Sequence, residues 1–139
     1  MKITQEVDYA LRTVLYLCKL GYGEKIEAKN ISETENIPIR FLLKILRKLK
    51  HAGIVESYRG VNGGYALNKY PKDISIEDII RIIDGPIYMN RCIYDPKYCN
   101  LNRSSRCVIH NALESVQNTL VSNLKAINFE NLLNTTHEK

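Results

Sequence analysis

The sequence predicts a mainly α fold, and three observations carry that prediction. Apolar residues recur at three- and four-residue steps along most of the chain, the spacing of amphipathic helices. That period gives way to a period of two only once, on either side of a glycine-rich turn. A long final segment then carries a single apolar stripe, again at helical spacing. In chain order these features make a winged helix-turn-helix followed by a long C-terminal helix. The 139 residues suit one compact domain with an appended helix. With 45% hydrophobic and 25% charged residues, the balance is that of a folded chain.

From Thr4 to Leu20, Val7, Leu11, Val14, Leu15, Leu17 and Cys18 fall on one helical face, and Gly21 and Gly23 end the segment. Ala28 to Glu35 reads as a short second helix with Ile31 as its main buried contact and Asn36 as a left-handed stop. Pro38 opens a third helix reaching about Ala52, because proline is tolerated in a first turn, and Gly53 closes it. Two short helices around a tight Asn36-Ile37-Pro38 corner have helix-turn-helix spacing. The segments 54–58 and 65–67 are strand candidates, and Asn62-Gly63 between them predicts a tight turn with positive φ at its centre. Ser75, with Asp78 three residues on, caps a fourth helix buried through Ile76, Ile79, Ile80, Ile82 and Ile83 and stopped by Gly85-Pro86. Residues 86–106 show no period, and so long a loop in a small domain is expected to be functional or disordered. Ile109, Leu113, Val116, Leu120, Leu124 and Ile127 mark the long helix, and the tail 134–139 is expected to fray.

The net charge of +5 is unevenly placed. Residues 1–75 hold 13 Lys+Arg against 8 Asp+Glu, whereas residues 76–139 hold seven of each. Within 40–59 alone there are six basic residues and one acid. On the third helix Arg40, Lys44, Arg47, Lys48 and His51 form one stripe, opposite Leu42, Ile45, Leu46 and Leu49. A cationic stripe of a single sign on the second helix of a helix-turn-helix points to double-stranded DNA, since phosphates and guanine edges both suit Arg and Lys. Arg59, beside Gly60 at the hairpin tip, is placed to enter a minor groove, with Gly63 and Gly64 allowing close approach.

No apolar run nears the ~20 residues of a membrane-spanning helix. The start Met1 to Asp8 is acidic within eight residues and has no apolar signal core, so a cytoplasmic location is expected. There, four cysteines are expected as metal ligands or reactive thiols rather than as disulfides. Cys18 lies on the apolar face of the first helix and reads as a core residue. Cys92, Cys99 and Cys107 are separated by six and seven residues, with His110 three after the last. Zinc sites favour Cys-x-x-Cys knuckles, which are absent; widely spaced loop thiolates suit an iron–sulfur cluster better. Arg91, Lys97, Arg103 and Arg106 nearby favour thiolates. A thiol switch and a zinc site remain alternatives. An enzyme is not expected: no nucleophile, base and orienting group converge, and the Gly60–Gly64 run lacks the Lys-Ser/Thr of a phosphate loop.

Tyr9-Ala10-Leu11-Arg12, Leu46-Arg47-Lys48-Leu49 with Ala52-Gly53-Ile54-Val55, and the run from Ser57 to Leu67 resemble the Rrf-two family of winged-helix repressors, the IscR-like and NsrR-like regulators. Ile79-Ile80-Arg81 to Gly85-Pro86 and the three-cysteine loop extend the resemblance over nearly the whole chain. It implies a transcription regulator that is a homodimer crossed through the long helix and binds a palindromic operator. It also implies an iron–sulfur cluster, two-iron two-sulfur or four-iron four-sulfur, on Cys92, Cys99 and Cys107. For the fourth ligand, IscR-like members are matched by His110, and NsrR-like members by Asp8 of the partner's first helix. The implied organisation is a DNA-binding domain over 1–85, a cluster loop over 86–107, and a dimerisation helix with a C-terminal extension over 108–133.

Overall fold

In the computed structural model, which describes residues 2–135, the first helix α1 (Gln5–Leu20) starts at Thr4, whose Oγ1 accepts from the Val7 N–H at 3.2 Å. Such a cap satisfies one orphan donor and is worth about 1 kcal/mol. α1 is the central helix: Val7, Ala10, Val14, Leu17 and Cys18 are buried, and it touches α3 (Ile39–His51), α4 (Ile76–Asp84) and α7 (Phe129–Asn134). α2 (Ala28–Glu35) ends on Asn36 at φ 52°, the expected left-handed stop. Pro38 sits one position earlier than expected, as the residue before α3 rather than inside its first turn. The Ser32 hydroxyl donates to the Ile37 carbonyl, and the Ile37 N–H donates back to the Ser32 carbonyl, which fixes the corner between the two helices.

β1 (Val55–Tyr58) and β2 (Gly64–Leu67) pair antiparallel from Val55↔Leu67 to Tyr58↔Gly64. The turn differs from the sequence expectation. Five residues, not two, join the strands, and positive φ falls on Gly60 (97°) and Gly64 (135°) rather than on Asn62 and Gly63. The Gly63 N–H donates to the Gly60 carbonyl to close the loop, and Val61 stands almost fully exposed in it. Gly63 and Gly64 also serve a different purpose from the one expected. A Cβ on Gly63 would collide with the Tyr58 carbonyl, and one on Gly64 would fall 2.5 Å from the Ile26 carbonyl oxygen. They let the wing approach its own chain, where Ile26 and Tyr65 exchange hydrogen bonds of 2.9 and 2.8 Å as a third, single-bridge strand.

α4 has the reciprocal Ser75–Asp78 capping box, with bonds of 2.9 and 3.0 Å. Ile79, Ile80 and Ile83 are buried, whereas Ile76 and Ile82 are only partly so. The segment 86–106 is more ordered than its lack of period suggests. It holds α5 (Arg91–Tyr94) and 3₁₀ turns at Pro96–Tyr98 and Ser104–Arg106. α6 (Val108–Ala126) stops one residue before the last expected stripe position, Ile127.

The chain then turns back. Asn128 and Asn131 cap α7 reciprocally, the Phe129 N–H donates to the Ile74 carbonyl, and the Ile76 N–H donates to the Ile127 carbonyl. Phe129 is fully buried among the N-terminal helices. Asn134 therefore closes a helix rather than opening a frayed tail, and residues 136–139 lie outside the described ones. No described helix is long and apolar enough to cross a membrane.

Because Phe129 belongs to the core of the winged helix, Phe129→Ala is expected to cost about 3–5 kcal/mol. Urea unfolding at fixed protein concentration measures it; a loss below about 1 kcal/mol would mean that α7 is not part of the cooperative core.

Candidate nucleic-acid interface and cysteine loop

On α3, Leu42, Ile45, Leu46 and Leu49 are all fully buried, which decides where the rest of the helix points. Opposite them, Arg40, Lys44, Arg47 and His51 are exposed and fall within roughly 60° of one another at 3.6 residues per turn. Lys48 differs. It lies on the flank, half-buried, and its ammonium donates to Glu6 Oε1 at 2.9 Å and to the Ile83 carbonyl at 3.2 Å. On the other flank Lys50 donates to the Ser57 hydroxyl at 2.6 Å and lies 3.9 Å from Glu56. These two lysines brace α3 against α1, α4 and the wing. Glu6, which takes part in that bracing, carries no signal in the sequence beyond being an acid in a first helical turn. Arg59 and Gly60 are exposed in the wing loop, and neither Arg40, Arg47, His51 nor Arg59 has an acidic partner among the described residues. Lys44 lies 3.8 Å from Glu6 Oε1 but stays exposed, and the rest of the cationic face is open for phosphate.

Asp8 lies one turn into α1, exposed, 3.6 Å from Arg12, whose guanidinium also sits over the Tyr9 ring at 5.0 Å. Within this chain it makes no contact with the cysteines.

Cys92 comes from α5, Cys99 follows the 3₁₀ turn Pro96–Tyr98, and Cys107 is the residue before α6. All three are free, partly exposed thiols. Cys92 Sγ lies 3.3 Å from His110 Nδ1, so α5 and the first turn of α6 meet through this pair. Among the described residues no three His, Cys, Asp or Glu side chains already converge, so Cys99 and Cys107 stand apart from Cys92 and His110. The donor chemistry suits an iron–sulfur cluster, but closing it around one requires the loop to tighten.

The Cys99 thiol is held below its ordinary value of 9.0. The largest cause is the backbone N–H of Arg103, which reaches the sulfur at 3.5 Å, followed by that of Leu101; the charge of Arg103 is a smaller one. Donors aimed at the sulfur stabilise the thiolate. Arg91, expected to help, instead lies over the Tyr98 ring at 5.0 Å. Burial pushes the Cys18 thiol up to about 12, as a core cysteine should be.

Along α6 no residue is buried. Val108, Ile109 and Val116 are 80%, 64% and 55% exposed, and only Leu124 of the stripe joins the core. Tyr94, Tyr98 and Leu101 on the neighbouring loop are exposed as well, with Tyr88 packed on Tyr94 at 4.8 Å.

A helix-turn-helix with a three-stranded wing, presenting an exposed cationic face on its second helix, is a winged-helix protein of the DNA-binding class. The sequence profile of one such family, described as Rrf2, iron-dependent transcriptional regulator, matches residues 3–135. The chain belongs to the Rrf2 family of transcriptional regulators. An HTH-type regulator of Rhodobacter capsulatus named rrf2-like is 41% identical over 99 residues, 69% of this chain and 66% of its own length. The chain thus spans just under two thirds of that relative. Among solved structures, T. potens IscR superposes with a TM-score of 0.78 at 25% identity, covering 99% of this chain and 90% of its own. CymR of B. subtilis, described as the global cysteine regulator, gives 0.76 at 29% identity, covering 98% of each chain.

With Cys99 held below 9.0 and Cys18 raised to about 12, iodoacetamide is expected to label Cys99 first and Cys18 last in metal-free, reduced protein. Since the thiolate is the nucleophile, the Cys99 rate should rise with pH to a midpoint below the ordinary 9.0. Mass spectrometry of labelled peptides checks this; Cys99 reacting no faster than Cys92 and Cys107 would contradict it.

Proposed function

We propose that this chain acts as a homodimeric transcription regulator whose affinity for a palindromic operator is set by an iron–sulfur cluster. The observation that carries the proposal is the Cys92–His110 contact at 3.3 Å, which joins the cysteine loop to the first turn of the exposed helix α6. Sensor and dimer contact are thereby one continuous piece of chain.

Cys92, Cys99 and Cys107 would hold the cluster, with His110 as the fourth ligand within the chain. The contact at Cys92 favours His110 over Asp8, which would have to come from a partner. When bound, the cluster supplies a redox-active iron centre that reacts with oxidants or nitric oxide. The chain's own contribution is mechanical. Cys107 directly precedes α6, and Cys92 reaches its first turn, so the state of the loop sets where α6 begins and how it is held. α6 packs on α4, and α4 on α3. Two copies paired through the Ile109–Val116 face would fix the distance between two α3 helices, and only one spacing allows both to enter successive major grooves. A change in that spacing shifts the population of DNA-competent dimers.

Arg40, Lys44, Arg47 and His51 of α3, with Arg59 and Gly60 of the wing, form the proposed DNA contacts, and Lys48 supports them from behind. A cytoplasmic location accords with a DNA-binding role and with three free, partly exposed thiols. A second reading, a thiol-based switch with no cluster, draws on the lowered Cys99 thiol. Zinc is less well supported, because the Cys-x-x-Cys knuckle it favours is absent from the sequence.

Anaerobic purification distinguishes these readings. Expected are matched iron and sulfide with visible absorption, lost in Cys92→Ala, Cys99→Ala and Cys107→Ala; colourless protein with thiols or zinc alone would sink the cluster. Ile109→Asp with Val116→Asp should leave a folded monomer by sedimentation, and an intact dimer would remove α6 from the interface. Arg47→Ala should weaken binding to a selected duplex roughly 5- to 150-fold, the range for a lost bidentate base contact of 1–3 kcal/mol.

A further inference from the structure

Among the described residues Glu6 is the acid that reaches the DNA-facing side of the cationic helix, Glu56 meeting only Lys50 on its other flank. Glu6 Oε1 accepts from Lys48 Nζ at 2.9 Å and lies 3.8 Å from Lys44 Nζ, and the Glu6 side chain is only 20% exposed. Lys48 uses a second donor on the Ile83 carbonyl, 3.2 Å away, one of the last carbonyls of α4 that lack a partner within the helix. An ammonium has three donors, so two are already committed inside the protein. The same turn of α1 is tied to the end of α4 by the Thr4 hydroxyl, which donates to Asp84 Oδ2 at 3.0 Å. Glu6 is thus held in place from two sides.

We propose that Glu6 determines DNA specificity by withholding cations from the phosphate backbone. It occupies Lys48 and competes for Lys44, so that neither adds its full share to the grip on arbitrary DNA. Phosphate contacts raise affinity for every duplex alike, and only base contacts discriminate. Arg40 and Arg47, whose guanidinium groups match guanine edges, are left free of acidic partners among the described residues. The effect is to widen the ratio of specific to non-specific binding, which governs occupancy in a genome. The inference rests on α3 being the DNA-reading helix.

Fluorescence anisotropy of the full chain on a short duplex of arbitrary sequence, titrated with salt, tests it. Glu6→Gln keeps the side-chain shape and removes the charge. It should bind this duplex several-fold tighter, with the slope of log K against log salt steeper by about one to two per protomer, some 0.9 for each lysine released. An unchanged or shallower slope in folded Glu6→Gln overturns the proposal. A second measurement needs no variant: side-chain amino NMR of the wild type should show Lys48 unmoved when this duplex is added, and a Lys48 signal that moves onto phosphate overturns the proposal equally. Arg47→Gln serves as the separate control: on this arbitrary duplex, without its matched guanine, Arg47 lies on phosphate, and its loss is expected to make the slope shallower by about 0.9. If it does not, the assignment of α3 to DNA fails, whatever Glu6 does.

Discussion

The burial of Leu42, Ile45, Leu46 and Leu49 against α1 and its neighbours fixes everything else about α3. Four apolar side chains at helical spacing, each worth about 1.5–3 kcal/mol when removed from water, leave the helix one rotational setting. Arg40, Lys44, Arg47 and His51 then point outward together, because they lie opposite that stripe. A basic helix without such a stripe would be free to roll, and its charge would make only a diffuse cationic surface. Lys48 and Lys50 complete the constraint from the flanks, one to Glu6 and the Ile83 carbonyl, the other to the wing. The positive charge on α3 therefore has two jobs: two lysines position the helix, and four residues face away from the protein.

The long helix α6 shows the opposite arrangement. It has a regular apolar stripe and no buried residue, so within a single chain most of its hydrophobic face, Leu124 apart, is left uncovered. Exposed apolar surface of this kind marks an interaction site. Its first turn is adjacent to the cysteine loop through Cys107 and through the Cys92–His110 contact, and its far end returns Phe129 to the core. α6 is therefore anchored at both ends: at one by the cysteine loop, at the other by the packing of Phe129.

Much of this was legible in the sequence. Asn36, Gly53 and the Ser75–Asp78 pair mark helix ends because each solves a local backbone problem, and local problems leave local signals. The winged-helix class followed from the order of periods, and the family from the wing and the cysteine loop. What stayed hidden depends on contacts distant in sequence. Ile26 joins the wing only because Gly64 lets the backbones meet. Lys48 reads as one more cation on a stripe, and only the placement of Glu6, 42 residues away, turns it inward. Residues past Ile127 read only as a C-terminal extension, although the Asn128–Asn131 reciprocal cap was a usable signal for a helix start. The wing turn was misplaced for a different reason: Asn-Gly is a strong hairpin signal, but the strand register put five residues in the loop and moved the positive φ to Gly60 and Gly64.

The division between a reading helix and a sensing loop is tested most directly by measuring affinity for a selected palindromic duplex on one preparation, before and after anaerobic iron–sulfur reconstitution. A change of about tenfold or more, a shift of about 1.4 kcal/mol, is expected in wild-type protein and absent in Cys107→Ala. Equal affinities in the two states of the wild type, at confirmed cluster loading, would contradict the coupling of the cysteine loop to DNA binding.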